Sequence, residues 1–474
     1  MQFAVSARAW VFQEPGEAGA QAVGRAYLWE CLGFIVGGTV FSFMLVFANE
    51  FRVAAIVAIL NLGVALLVLC TIHGSKLLRV PVGIAVILFP AWLFFNSASL
   101  QQQTSQSRFP GETLLQSQNT VHGNVSVTQL GKQYNFYQSG LLLGADREDL
   151  ASEYLVHFPM LAHPAPRKVL LLGTGFNGPI KQILKYDPQE VLVVELDPEL
   201  LKIVRGYLPG DLQDARRDPR VKIQSQDPLA FLKSDAGVFE VIIANFPDPV
   251  SVLINRNYTE QFFRRVRSHL APGGVFATHI TFAANSMTPE TERLGSSVYA
   301  TLGQVFPSVK VLPEDTLFFL ASADAVTSWD AEKMIQRFSE RGIKTDFVTT
   351  DLIRYRFEND RVLKVTTAFR NALWKIKNTA LWPRTCYFTF LRWLSQFDPH
   401  IASLFFVVVR VPFPVVLGAC LLMVLFLSSF VKGPRKRMRR LAWVSMGTAG
   451  FSLMAFEVLG IYLFQAAFGN LYYR

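Results

Sequence analysis

Glycines follow one apolar segment and a carboxylate ends the next. This order and spacing are typical of a nucleotide-binding site. Gly173, Gly175 and Gly178 follow one apolar segment and open a predicted helix, so the backbone there can turn tightly and approach a ligand. The next apolar segment ends in Glu195, whose carboxylate can accept hydrogen bonds from both ribose hydroxyls. The alternative is that the glycines serve only strand-to-helix packing and that Glu195 is a solvated strand end.

The ends of the next two apolar segments distinguish between classes of nucleotide. The third segment leads into Asp227, where an adenine amino group could donate a hydrogen bond. The fourth leads into Asn245 and Asp248, and a predicted helix over 258–270 is followed at once by the fifth strand. This order favours an S-adenosylmethionine type of site over a nicotinamide type. For Asp227 the alternative is a solvated turn residue before Pro228.

Apolar strands that alternate with helices predict the fold that positions these residues. The pattern is typical of an α/β doubly wound, Rossmann-like domain of the S-adenosylmethionine-dependent methyltransferase type, with a parallel sheet. Its start alternates with period two and predicts a small N-terminal β part. The predicted strands cover 125–129 and 134–138 in the β part and 169–172, 191–195, 221–225, 241–244 and 275–279 in the sheet, with the first helix at 179–186.

Long apolar stretches on both sides of this domain predict that it is embedded between α-helical transmembrane segments. Of the 474 residues, 51% are hydrophobic and 17% are charged. A helix needs roughly 20 apolar residues to cross the hydrocarbon of a bilayer. Five stretches reach about that length, at 28–48, 53–72, 80–99, 405–430 and 441–468.

The remaining stretches complete the predicted organisation, in which we find no signal peptide. The predicted segments are an N-terminal segment (1–27), three transmembrane helices (28–99), a linker (100–119), the α/β domain (120–325), a C-terminal extension (326–400) and two transmembrane helices (401–474). Within the extension, apolar residues from Phe369 to Ala380 fall on one helical face, which predicts an interfacial helix along the membrane. The alternative is a solvated helix packed on the domain.

Charge and cysteine content exclude several classes of function. The formal net charge is +10, but six positive charges fall in the run between Lys432 and Arg440, so the basic balance does not indicate nucleic-acid binding. The four cysteines lie in or beside hydrophobic segments, and the histidines show no metal-ligand spacing. We therefore expect neither disulfides nor a metal site.

The order and spacing of these residues resemble the spermidine synthase family of polyamine aminopropyltransferases, in its bacterial membrane-fused subgroup. The resemblance covers about residues 120–325. It rests on the segments 168–197, 220–227, 239–249, 257–258 and 272–274, and on a closing strand pair near 306–311 and 317–321.

The resemblance implies a role for each part of the site. It implies that the loop from Gly173 to Gly178 passes beside a sulfonium side chain, that Glu195 holds the ribose and that Asp227 faces the adenine. The co-substrate would be decarboxylated S-adenosylmethionine, or S-adenosylmethionine itself, with no tightly bound cofactor. The acceptor would be a small cationic polyamine.

The sequence departs from the family at two acidic positions. Phe176 stands where the family carries an acid that faces the aminopropyl amine, and Asn245 stands where it carries the catalytic aspartate. An amide accepts hydrogen bonds but cannot serve as a base near neutral pH. Asp248 is then the remaining candidate for catalysis or polyamine binding, with a helix or turn cap as its alternative. Glu153 and Tyr258 match further substrate-binding positions.

Three functions remain open at this point. The first is aminopropyl transfer in polyamine biosynthesis, impaired because Asn245 replaces the aspartate. The second is an S-adenosylmethionine-dependent methyltransferase, and the third is a non-catalytic nucleotide- or polyamine-binding membrane module. We expect a multi-pass protein of the bacterial inner membrane, with lipid as a partner and the soluble domain on the cytoplasmic face; a homodimer is left open.

Overall fold

The computed structural model describes residues 50–71, 76–147, 150–234, 237–283, 287–324, 329–372 and 376–410, with isolated positions and short stretches between 24 and 40 and between 415 and 460. The chain divides into two units, Met1–Leu130 and Gly131–Arg474.

The first unit contains two long apolar helices and a β-hairpin. Helices α1 (Glu50–Thr71) and α2 (Lys76–Gln106) are joined by a hydrogen bond of 3.3 Å from Arg52 Nε to Ser97 Oγ. Strands β1 (Thr113–Thr120) and β2 (Gly123–Leu130) pair antiparallel. The predicted linker over 100–119 is therefore wrong in its extent. The helix continues because Leu100 and the three following glutamines are good helix formers, and the Gln106 side chain bonds to the backbone of Glu112 and Leu114.

The structure describes only part of the predicted membrane spans. Among the described residues, one helix, Val80–Gln106, has the length and apolarity needed to cross a membrane. Shorter apolar helices cover Tyr27–Gly38 and Phe51–Leu67. Most of the two predicted spans over 405–430 and 441–468 lies outside the described residues. The arrangement with several spans remains a prediction.

The second unit is built on a seven-stranded sheet with the order β10-β11-β9-β8-β5-β6-β7. Strands β5 to β9 run parallel, as predicted, whereas β11 pairs antiparallel with both β9 and β10, so the sheet is mixed rather than wholly parallel. Strands β3 and β4 pair antiparallel ahead of it. The strands are β3 (Gln133–Gln138), β4 (Leu141–Ala145), β5 (Lys168–Gly173), β6 (Glu190–Glu195), β7 (Val221–Ser225), β8 (Phe239–Asn245), β9 (Leu270–Thr281), β10 (Ser308–Leu312) and β11 (Thr316–Ser322).

Helices cover both faces of this sheet, because the middle positions of its central strands are apolar. In β5, Leu170 and Leu172 belong to one buried cluster while Val169 and Leu171 belong to the other, as expected when side chains alternate between faces. The helices are α3 (Leu150–Ala162), α4 (Pro179–Leu184), α5 (Pro198–Arg205), α6 (Gly210–Arg217), α7 (Pro228–Phe231), α8 (Val252–Asn255), α9 (Glu260–Ser268), α10 (Pro289–Gly303), α11 (Ala331–Glu340), α12 (Thr350–Glu358), α13 (Asp360–Asn371), α14 (Arg384–Ser395) and α15 (Pro399–Arg410), with a 3₁₀ turn at Arg256–Tyr258.

The C-terminal extension is part of the same core. Phe369 of α13, Phe388 and Leu391 of α14 and Phe406 of α15 are buried in the cluster that covers one face of the sheet. The predicted domain boundary at 325 therefore does not separate two packing units. Sequence reasoning missed this because the extension packs through helices rather than through a further strand.

The predicted interfacial helix over 369–380 is wrong. Helix α13 ends at Asn371, and the described residues from Ile376 to Pro383 are not helical. The Phe369 ring lies against α10 so closely that a methyl group at Gly295 would overlap it. The apolar face of α13 therefore packs on the domain, which was the alternative interpretation of this segment.

Candidate active site

The glycine loop joins β5 to α4 at the carboxyl end of the sheet. Gly173 has a φ of +89°, and a Cβ there would overlap the backbone oxygen of Asn245 at the end of β8. Gly178 has a φ of +133° and directly precedes α4. Gly175 packs on Leu171, where a Cβ would lie 2.6 Å from a methyl carbon. The loop therefore requires glycine for its conformation and for close packing.

Glu195 ends β6 with its carboxylate buried. Its Oε1 accepts a hydrogen bond of 3.2 Å from the backbone N–H of Asp197, while its Oε2 has no hydrogen-bond partner in the described part of the chain. Burial raises the pKa of this carboxyl group to about 7. A buried acceptor without a donor is costly, and two ribose hydroxyls would supply the missing donors. The ribose contact predicted for Glu195 stays a prediction.

Asp197 and Asp227 cap the helices that follow their strands. Asp197 Oδ1 accepts from two backbone N–H groups of α5, and its Oδ2 accepts from Gln138 Nε2 at 3.1 Å. Asp227 Oδ1 caps α7, and its Oδ2 forms an ion pair of 2.9 Å with Arg256. The alternative interpretation of Asp227 as a turn residue before Pro228 therefore describes its backbone role, although the side chain is buried rather than solvated. Its predicted contact with adenine stays a prediction.

Asn245 is fixed by its neighbours at the end of β8. Its Nδ2 donates to the backbone oxygen of Thr174 at 2.5 Å, which directs its Oδ1 toward His279 Nε2 at 2.9 Å. Because the amide oxygen is an acceptor, His279 is the donor in this contact. The position predicted to hold the catalytic base therefore holds an amide that is bonded on both sides.

Two cavities open beside the pair formed by Asn245 and His279. Both cavities are lined by Leu142 and Leu143 as well as by this pair. The larger has a volume of about 260 Å³ and extends to Asp248, whereas the smaller has a volume of about 200 Å³ and extends to Asn177. We call the first the acceptor cavity and the second the loop cavity.

Asp248 is the carboxylate that lines the acceptor cavity. Its Oδ1 accepts a hydrogen bond of 2.7 Å from the backbone N–H of Thr281, and its Oδ2 lies 3.5 Å from Arg392 Nη1 of α14. Asp248 therefore does not cap a helix, contrary to the alternative interpretation of this residue.

Glu153 and Tyr258 do not offer their polar groups to a substrate, so both predictions are wrong in this structure. The Glu153 carboxylate is fully buried and accepts hydrogen bonds of 2.8–2.9 Å from three consecutive backbone N–H groups, beginning at Asp346. The Tyr258 hydroxyl is buried and donates toward the backbone oxygens of Phe246, Pro247 and His279. Both side chains hold loops in place.

Sequence reasoning missed residues that line the cavities. Asn177 follows the family's loop position at Phe176, and its Oδ1 is buried without a hydrogen-bond partner in the residues that the structure describes. Phe176 itself packs edge-on against Phe136, with ring centroids 5.4 Å apart. Asn177 could have been identified from the sequence, because it is an amide within a glycine loop. The contacts of His279 and Arg392 could not, because they depend on tertiary structure.

Comparison with known proteins identifies the family. Polyamine aminopropyltransferase 1 of Hyperthermus butylicus is 31% identical over 212 residues, which cover 42% of this chain and 71% of that protein. The family model for the spermine/spermidine synthase domain matches residues 148–314. The chain belongs to the spermine/spermidine synthase family. The matched segment includes the glycine loop, Glu195, Asn245 and Asp248 but not Arg392.

A second relative is matched over less of its length, and a solved structure over more. The polyamine aminopropyltransferase of Oceanobacillus iheyensis is 29% identical over 292 residues, which cover 58% of this chain and 56% of that protein. The chain thus spans little more than half of that relative. The solved spermidine synthase of Thermotoga maritima is 21% identical, with a TM-score of 0.43 over 54% of this chain and 88% of that one.

Proposed function

We propose that this protein is a membrane-anchored aminopropyltransferase-like protein that binds decarboxylated S-adenosylmethionine and transfers its aminopropyl group slowly to an amine. The observation that carries the proposal is the buried, unpartnered oxygen of Glu195 at the end of β6. It stands beside a glycine loop in a chain of the spermine/spermidine synthase family. The hydroxyls of a ribose would supply donors for this oxygen.

Asn177 extends the proposed nucleotide site toward the aminopropyl group. Its buried Oδ1 is an acceptor without a donor, and the residue lines the loop cavity together with Asn245 and His279. The ammonium group of decarboxylated S-adenosylmethionine carries three donors. Asn177 is therefore our candidate to replace the acid that the family carries at the position of Phe176.

The proposed transfer is a substitution at carbon. The lone pair of the acceptor nitrogen forms a C–N bond to the aminopropyl carbon next to the sulfonium, the C–S bond breaks, and methylthioadenosine leaves. The nitrogen must also lose a proton, which a general base normally accepts. Asn245 cannot take that proton, and its amide is already bonded to Thr174 and His279. Slow transfer follows from this loss, with Asp248 as the carboxylate that remains in the acceptor cavity.

An exposed aromatic ridge supports the membrane anchor. The helices α14 and α15 and the turn before them bury one face in the domain and expose large apolar side chains on the other. These are Leu381, Trp382, Phe390, Trp393, Phe397, Ile401 and Leu404. The Trp393 and Phe397 rings lie 4.9 Å apart, so the ridge is continuous there. Such patches mark interaction sites, and tryptophan is enriched at membrane interfaces.

The ridge precedes the predicted span over 405–430, so we propose a lipid bilayer as its occupant. The proposed location is the bacterial inner membrane, with the domain on the cytoplasmic face, where adenosyl sulfonium compounds are made. Reconstitution in vesicles tests this: brominated lipids should quench tryptophan fluorescence, and replacing both ridge tryptophans, Trp382 and Trp393, with Phe should remove part of that quenching. Quenching that is unchanged in the correctly inserted double variant would refute the ridge as a lipid contact.

Calorimetric titration and product analysis test the proposed function. Detergent-purified protein is titrated with decarboxylated S-adenosylmethionine, S-adenosylmethionine and methylthioadenosine, and is then incubated with putrescine and spermidine. We expect the decarboxylated compound and methylthioadenosine to bind, with slow release of methylthioadenosine on turnover. A preference for intact S-adenosylmethionine would indicate methyl transfer instead, and no binding by folded protein would refute a nucleotide site.

A second candidate is a nucleotide-binding module without turnover. The acceptor end favours this candidate, because Asn245 cannot act as a base and Asp248 already has Arg392 as a partner. Binding of the decarboxylated compound with no methylthioadenosine released over long incubation would select this candidate.

A further inference from the structure

A cation that the protein itself supplies lies beside the acceptor cavity. Arg392 projects from α14, and its Nη1 lies 3.5 Å from Asp248 Oδ2, the oxygen that the backbone of Thr281 leaves open. Both side chains are about one-fifth exposed, at 20% for Arg392 and 18% for Asp248. Asp248 and Thr281 line the cavity, and Arg392 contacts both of them.

Arg392 is held by more than its carboxylate partner. The same Nη1 donates a hydrogen bond of 2.7 Å to the backbone oxygen of Thr281. This bond is much shorter than the 3.5 Å contact with Asp248, which is at the limit of a hydrogen bond. The backbone oxygen of Thr281 thus positions the guanidinium, and Asp248 has only a weak contact with it. An ammonium group could compete for Asp248 but would not displace Arg392.

The helix that carries Arg392 is anchored in the domain. Phe388 and Leu391 are buried in the core. At the start of the helix, Asn255 Oδ1 accepts hydrogen bonds from Thr385 Oγ1 at 2.5 Å and from the backbone N–H of Cys386 at 3.1 Å. The anchored helix thus holds Arg392 beside Asp248 and Thr281, two residues of the cavity lining.

We propose that Arg392 is a specificity-determining residue of the acceptor site. Its guanidinium occupies the place beside Asp248 that an ammonium group of a polyamine would take. A polycation must bring a further positive charge close to this guanidinium, whereas a monoamine need not. The acceptor end accordingly discriminates against polyamines, in favour of amines with a single positive charge. This inference rests on the proposed function, because it assigns the cavity to the acceptor.

Paired titrations of amines test the inference. Butylamine, putrescine and spermidine are titrated by calorimetry into the parent and into Arg392→Gln, with and without saturating methylthioadenosine. We expect Arg392→Gln to bind putrescine and spermidine about tenfold more tightly and butylamine within about twofold of the parent. Arg392→Lys, which keeps the charge, should resemble the parent.

A matched control removes the same charge elsewhere. Arg264→Gln breaks a surface ion pair with Glu260 that does not line the acceptor cavity, and it should leave all three amine affinities unchanged. The dependence on amine charge is a result that a merely structural role of Arg392 would not produce. Circular dichroism and the affinity for methylthioadenosine show that each variant is folded.

The outcomes separate the two proposals. No binding of methylthioadenosine by folded parent refutes the proposed function, while the amine titrations still report on the cavity. An Arg392→Gln variant that leaves polyamine affinity unchanged, that changes all three amines equally, or that binds no amine at all overturns the role of Arg392.

Discussion

The nucleotide end and the acceptor end of the site differ in whether their acidic groups are already partnered. At the nucleotide end, Glu195 keeps a buried oxygen without a donor. At the acceptor end, Asp248 faces Arg392 and Thr281, and the buried Glu153 is fully used by backbone N–H groups. Under the proposed function, the oxygen that would bind the ribose is therefore open to a ligand, whereas the carboxylate at the amine end already has a cationic partner.

The largest effect is expected from removing the carboxylate at the proposed nucleotide-binding end of the site. Glu195→Gln should weaken methylthioadenosine binding roughly 1000-fold, because two charge-assisted hydrogen bonds of about 2 kcal/mol each are lost. Calorimetry measures the change. The control is Glu199→Gln, which removes an exposed carboxylate of the next helix that pairs with Lys202. Equal affinity of parent and Glu195→Gln would show that the ribose is held elsewhere.

The next prediction restores the missing base at the acceptor end. Asn245→Asp should raise the rate of methylthioadenosine release with an amine acceptor about 100-fold, the lower range of general base catalysis. His279 can still donate to one oxygen of a carboxylate at this position, whereas the bond to the Thr174 backbone oxygen is lost because a carboxylate has no donor. The control is Asn245→Ser, which supplies a hydroxyl instead of a carboxylate. A rate that does not rise in Asn245→Asp would contradict the explanation of slow transfer.

A smaller effect is expected at Asn177, which lines the loop cavity. Asn177→Leu removes the unpartnered amide oxygen at similar volume, and it should weaken decarboxylated S-adenosylmethionine about tenfold. Methylthioadenosine lacks the aminopropyl group and should bind as tightly as before, so it serves as the internal control. Equal losses for both ligands would mean that the substitution disturbs the loop rather than a contact with the ammonium group.

The smallest effect is a pH dependence of the nucleotide end. Burial raises the pKa of Glu195 to about 7, and ribose hydroxyls donate best to the ionised carboxylate. The sign follows: protonation below pH 7 weakens binding, and ionisation above it strengthens binding. Methylthioadenosine affinity should rise about fivefold from pH 6 to pH 7 and then level off. Glu195→Gln should abolish this slope, and a slope that persists in it would assign the titration to another group.

The sheet could be predicted from the sequence because its strands are short apolar runs whose partners follow in order. The run 221–225 is observed as predicted, and Glu195 ends its strand as predicted. The antiparallel pairing of β11 with β9 gave no local signal. It depends on how the last strand enters the sheet, which periodicity does not encode.

The acceptor end could not be predicted because its contacts join distant parts of the chain. Asp248 and Arg392 are 144 residues apart, and Glu153 bonds to a loop 193 to 195 residues away. A resemblance to a family assigns roles position by position, so it could not show that a carboxylate had been neutralised by an extension outside the matched segment. The interfacial helix failed for a similar reason, because an apolar helical face does not reveal what covers it.

The domain core is completed late in synthesis, because it buries Phe388, Leu391 and Phe406 from the C-terminal extension. A ribosome adds about 5–20 residues per second, so roughly 4 to 17 seconds separate the synthesis of Ser322, the last residue of the sheet, from that of Phe406. During that interval one face of the nascent sheet has no cover from α14 and α15. The nascent chain therefore exposes part of this apolar face at that stage, and pausing of translation between these two residues should increase its aggregation.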